Sequence, residues 1–185
     1  MIGGAASDCT IGSFRFHPNP NCRGLFTRQT LSCMGFPEEQ ACQTEAYMTI
    51  DEIIENFELL DDWEDRYKYL IELGDQLEPF PAGKQDAAHK VQGCVSQVWI
   101  DSEAEGSGDP VIHYRGTSDA HIVRGLIAVT LALFSDRKAS EIVKTDHQAV
   151  FDRLGLAEHI TPQRSNGLRS MVQRVKDIAA AELAG

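Results

Sequence analysis

From Met48 onward the apolar positions fall into helical spacing. "MTIDEIIENFELL" sets Ile53, Phe57 and Leu60 along one stripe and opens with Thr49 and Glu52 at the separation of a capping box. The pattern predicts a helix there and a second over "DDWEDRYKYLIELGDQL", where Trp63, Tyr67, Leu70 and Leu77 can share a face, ended by "PFPAG". Past that loop the period changes to two. Val95 and Gln97 to Ile100 read as a strand, "EAEGSGDP" as a polar turn and "VIHYRG" as the antiparallel partner of a hairpin. "GTSDAHIVRGLIAVTLALF" then predicts a helix with Ser118 or Asp119 as N-cap, apolar nearly all round and therefore central and buried. "KASEIVKTD" and "HQAVFDRLGL" read as short helices, Thr161-Pro162 as a cap with proline at the first helical position, and "LRSMVQRVKDIAAAEL" as a long final helix. Helices flanking a small antiparallel sheet make a compact single α+β domain over residues 48–185.

Residues 1–47 follow none of this. Gly, Pro, Asn and Ser punctuate them ("HPNPNCRG") and no period of 2 or 3.6 persists, so they are expected to be a poorly ordered extension. Arg15, Arg23 and Arg28 would suit an organellar transit peptide, but Asp8, Glu38, Glu39 and Glu45 would not, and no secretory signal pattern is present. The expected location is cytoplasmic.

Composition adds limits. At 42% hydrophobic and 24% charged, 185 residues can bury one ordinary core. The greasiest stretch, Ile122 to Phe134, carries Arg124 and falls short of the roughly 20 residues a bilayer span requires, so no membrane role is expected. A net charge of -11 with no run of basic residues argues against nucleic acid as a partner; proteins or small molecules fit better. The acidic surface as a whole reads as ordinary solvation.

The cysteines are unevenly placed. Cys9, Cys22, Cys33 and Cys42 precede Met48, at C-x12-C, C-x10-C and C-x8-C spacings that contain no metal knuckle; only Cys94 follows it. It sits on the loop that leads into the hairpin, behind Gln92 and Gly93. A free cysteine is most often a small buried hydrophobe. His113, on the second hairpin strand, could serve a Cys-His nucleophile as its base but reads more simply as an exposed strand residue.

Three stretches, "VQGCVSQVW", "GTSDAHIVRGLIAV" and "HITPQRSNGL", stand in the order and spacing of the SufE family of cysteine desulfuration proteins, and "WEDRYKYLIELG" resembles that family's early helix. The resemblance covers Met48 to about Ala184; residues 1–47 have no counterpart in it. It implies a SufE/IscU-like fold and a sulfur relay. Such a protein takes persulfide sulfur from a PLP-dependent, SufS-like cysteine desulfurase, stimulates that enzyme, and passes the sulfur to a SufBCD-like iron-sulfur scaffold complex. Cys94 matches the acceptor cysteine. Gln92 and Gly93 would support its loop, and Asp119 and Arg164, from the other two motifs, could pair to hold that loop or serve the partner interface. The plainer roles are a helix cap for Asp119 and a solvated charge for Arg164.

Persulfide exchange needs one nucleophile, a suitable pKa and access, so no metal or cofactor of the protein's own is implied; PLP belongs to the partner. A second nearby thiol would resolve the persulfide into a disulfide, and from Met48 onward there is one cysteine. The rivals are an iron-sulfur scaffold-like binding protein, which needs about three converging ligands, and a cysteine hydrolase, which needs a base and an oxyanion hole. A homodimer is an open alternative to a monomer.

Overall fold

The computed structural model describes residues 48–185. The extension expected over residues 1–47, with its four cysteines, lies outside the described residues. Thr49 caps the first helix, α1 (Ile50–Leu59), through the full capping box: its side chain accepts from the Glu52 amide while Glu52 reaches back to the Thr49 amide. Asp62 caps α2 (Trp63–Asp75) more simply, by accepting from the Glu64 amide. Two long strands follow, β1 (Val98–Glu105) and β2 (Val111–Ser118), paired antiparallel with Ile100 opposite Gly116. Then come α3 (His121–Phe134), β3 (Arg137–Lys138), α4 (Ala139–Lys144), α5 (His147–Arg153), α6 (Leu156–His159) and α7 (Pro162–Ala184). The sheet has the order β1-β2-β3, all antiparallel, and helices cover it: the compact α+β architecture expected.

Several boundaries differ from expectation. β1 runs on through Glu103–Glu105, which read as turn residues because they are polar; backbone pairing of Glu103 with His113 and Glu105 with Val111 carries the ladder past the end of the apolar alternation. Val95 lies outside the strand. β3 is too short to leave a periodic signal. Neither Ser118 nor Asp119 is the N-cap of α3: that position is Ala120, whose side chain cannot accept a hydrogen bond, because both polar side chains are engaged at the Cys94 loop.

α3 is the spine. Ten of its fourteen residues are buried, and α1, α2, β2 and α7 all pack on it. Against α2 the two backbones nearly touch: a Cβ at Gly125 would lie 2.1 Å from the Leu70 carbonyl oxygen, and one at Gly74 would lie 2.6 Å from the Gly125 amide nitrogen. At the other side, the buried Tyr114 hydroxyl on β2 donates to the Val175 carbonyl of α7 at 3.0 Å, fixing the last helix to the sheet. A low-dielectric setting makes that bond costly to lose. A second tie is the carboxylate of Asp101, only 4% exposed, which receives Lys84 through both oxygens at 2.8 Å and anchors the α2–β1 connection to the strand.

Gly125→Ala should therefore cost about 3 kcal/mol, since an added methyl must push two helices apart. Urea denaturation of the full chain would show a lower midpoint with an unchanged slope. A loss under about 0.5 kcal/mol would mean that α2 and α3 do not meet as closely as described.

Candidate functional site

The Cys94 loop is closed at its base by backbone bonds. Val91 N–H donates to the Val98 carbonyl and Ile100 N–H to the His89 carbonyl, each at 2.9 Å, so residues 92–97 project as a loop from the start of β1. Its far side is clamped at Gln97. There the Asp119 carboxylate accepts from the Gln97 amide at 3.0 Å, and the Ser118 hydroxyl donates to the Gln97 carbonyl at 2.7 Å. Asp119 thus holds the loop's exit directly, without Arg164: among the described residues no ion pair joins the two, and the cap expected as Asp119's plainer role is absent.

Gly93 turns the loop. Its φ of +88° is rarely adopted by residues with a Cβ, and a Cβ there would lie 2.6 Å from the Ser170 hydroxyl of α7. The turn lays Cys94 against α7, where its Sγ–H donates to the Gly167 carbonyl at 3.5 Å. Gly167 is the partner that permits this, because a Cβ at that position would sit 3.4 Å from the sulfur. Gln92 points to solvent and has no side-chain hydrogen bond among the described residues.

Beside the sulfur is a cavity of about 330 Å³. Val123 and Leu126 of α3 and Met171 of α7 supply its apolar lining, and Arg164 lies at its wall. Arg164 is placed there by the start of α7: Thr161 caps the helix, accepting from the Arg164 amide, and Pro162 occupies the first turn. Its guanidinium has no ion pair among the described residues.

Burial pushes the Cys94 thiol above its ordinary range, since desolvation penalises the thiolate, and no basic group offsets that. Burial and the hydrogen bond to a carbonyl both favour the thiol over the thiolate. His113 does not serve it. Its Nδ1 lies 2.8 Å from Asp136 and its Nε2 3.4 Å from Glu78; it lines a different cavity, and the two carboxylates hold its pKa above the usual histidine value although burial works against them. It is half-buried and engaged, where the sequence suggested exposure.

Sequence reasoning missed the cradle: Gly167, Ser170 and Met171 on α7, Val123 and Leu126 on α3. A signal existed in Gly167, a glycine inside a helical pattern, which often marks close backbone approach.

Comparison with known proteins follows the same segment. The family model described as "SufE: Fe-S metabolism associated domain" matches residues 51–179. An uncharacterized SufE-like protein of Rhizobium meliloti (strain 1021) is 50% identical over 136 residues, covering 73% of this chain and 97% of that one. A second, from Rhizobium etli, is 47% identical over 137 residues, covering 74% and 93%. Among solved structures, the solution structure of a hypothetical protein from Thermus thermophilus superposes with a TM-score of 0.60 at 19% identity, over 75% of this chain and 100% of that one, a likeness of fold.

The turn at Gly93 can be tested by a mutant cycle. Gly93→Ala should cost about 2–3 kcal/mol, part from the positive φ and part from the clash with Ser170. In a Ser170→Ala background the cost should fall by about 1 kcal/mol. An equal cost in both backgrounds would show that the loop does not press on α7 at that point.

Proposed function

The chain belongs to the SufE family, and on that basis we propose that it is a transpersulfidation protein whose Cys94 accepts sulfur from a PLP-dependent cysteine desulfurase and relays it to an iron-sulfur cluster assembly scaffold. The observation that carries this reading is the setting of Cys94: one thiol, on a loop folded against an apolar cavity, with a carbonyl as its hydrogen-bond partner and no base in contact among the described residues. Such a group is a poor hydrolytic nucleophile and a suitable carrier.

The transfer is an exchange. The Cys94 thiolate attacks the outer sulfur of the desulfurase's Cys-S-SH; the new S–S bond to Cys94 forms as the donor's S–S bond breaks, and the donor cysteine leaves as a thiolate that takes up the proton Cys94 gave up. The step is redox-neutral and needs no metal or cofactor on this chain. Because the free thiol is protonated, attack requires the 92–97 loop to leave α7, and contacts with the desulfurase supply the differential binding that favours the outward form. Asp119 keeps the loop's exit fixed during that movement, so the swing is confined to the Gly93 side. The cavity then shelters the loaded sulfur on return, with Arg164 beside it. Gln92 rides on the loop at the partner interface. The expected setting is the cytoplasm.

A scaffold function is disfavoured by the same geometry. A cluster site needs about three converging ligands, whereas the residues that line the cavity with Cys94 include no second cysteine, histidine or carboxylate.

Incubation with a cysteine desulfurase and free cysteine should add the mass of one sulfur to the intact protein, at Cys94. Cys94→Ser should fold normally and gain none, because a serine hydroxyl is too weak a nucleophile near neutral pH. Sulfur found on the serine variant, at another cysteine, would contradict the assignment.

A further inference from the structure

A second cavity, of about 350 Å³, is formed by the start of α1, by β2, by the end of α3 and by β3, and it shares no lining residue with the cavity at Cys94. Met48, Ile50, Leu131 and Ala132 give it an apolar floor. A cavity of that volume, mostly apolar and with a few polar groups on its wall, has the make-up of a small-molecule site.

Its polar side chains can be accounted for one by one. Thr49 is engaged in the capping box with Glu52. The Tyr114 hydroxyl donates to the Val175 carbonyl, and the Ser135 hydroxyl accepts from the Tyr114 amide. His113 and Asp136 hold each other at 2.8 Å. Two side chains are left over, Asp51 and Arg137, and they are of opposite charge. Among the described residues neither has a hydrogen-bond or ion-pair partner, and they do not pair with each other.

Asp51, in the first turn of α1, gains from the helix dipole there. Nothing comparable answers Arg137. It is half-buried, and every other half-buried lysine or arginine among the described residues except Arg164 is partnered by a carboxylate, a side-chain amide or a backbone carbonyl. An unfilled guanidinium presents a planar fork that matches a carboxylate. A carboxylate alone would also meet the negative charge of Asp51 in the same cavity. A molecule that carries an ammonium as well would answer both.

We propose that this cavity is a reversible binding site for a small α-amino acid with an apolar side chain, its carboxylate on Arg137, its ammonium on Asp51 and its side chain against the apolar floor. The site stands apart from the acceptor reading, because none of the residues that line it belongs to the Cys94 loop or its cradle.

The experiment titrates the full chain with L-valine and follows backbone amides by proton-nitrogen NMR correlation spectra. The amides of residues 49–51 and 135–137 should move together, with a Kd on the order of 1 mM. Isovalerate and isobutylamine, which each keep one of the two charges, should bind at least about tenfold more weakly. Arg137→Ala should weaken valine about tenfold, and Arg137→Lys should restore only part of that loss, because an ammonium lacks the fork. Asp51→Asn should weaken valine without weakening isovalerate. Spectra of each variant that otherwise overlay on the parent's would show that the fold is kept. No movement of these amides up to about 50 mM valine, isovalerate bound as tightly as valine, or unchanged affinity in Arg137→Ala would each overturn the site.

Discussion

The backbones of α2 and α3 meet at Gly125 and Gly74 with no room for a methyl between them, and the arrangement of the site follows from that contact. A helix held so near its neighbour has little freedom to rotate, which sets the faces that α3 presents elsewhere. One residue beyond Gly125, Leu126 reaches the cavity beside Cys94 with Val123 one turn earlier. α7, tied to the sheet by Tyr114, supplies Met171, Gly167 and Arg164 from the other side. The cradle of the cysteine is thus assembled from two rigid helices, while the cysteine itself rides on a loop. On the proposed reading this suits a carrier, whose cargo must be enclosed in one state and delivered in another.

The chemistry follows from what the cradle lacks as much as from what it contains. A carbonyl oxygen accepts a hydrogen bond from the thiol, and apolar side chains line much of the cavity beside it. Both favour the protonated thiol. His113, the histidine on the adjoining strand, is spent on Asp136 and Glu78 at another cavity. On the proposed reading, nucleophilicity is controlled by position: the loop-in thiol is the protonated form, and a loop-out Cys94 would regain the reactivity of an ordinary cysteine. On that reading the bond between the Gln97 amide and Asp119 would hold the loop's exit while the turn at Gly93 admits the change.

How much of this was legible in the sequence depends on range. The Thr49–Glu52 box, the helical stripe from Ile53 to Phe57, the hairpin and the proline-started final helix are all set by neighbours within a few residues, and they stand in the structure as read. Errors arose where a distant partner outbid a local preference. Asp119 looks like a helix cap but is taken by an amide 22 residues away, and the turn-like Glu103-Ala104-Glu105 is kept in strand by the facing β2. The Cys94 motif was conspicuous, yet its environment was hidden, because the carbonyl that accepts the thiol's hydrogen bond lies 73 residues further on.

The central claim is that Cys94 is withheld in the free protein and released by its partner. Its most direct test is the rate of iodoacetamide labelling at Cys94 in a full-length variant whose Cys9, Cys22, Cys33 and Cys42 are replaced by serine, with and without a desulfurase lacking its own nucleophilic cysteine. The account predicts labelling several-fold slower than that of an unstructured cysteine peptide at the same pH, and faster labelling when the desulfurase is present. Labelling of the free protein as fast as the peptide would show that the loop is already out, and would contradict it.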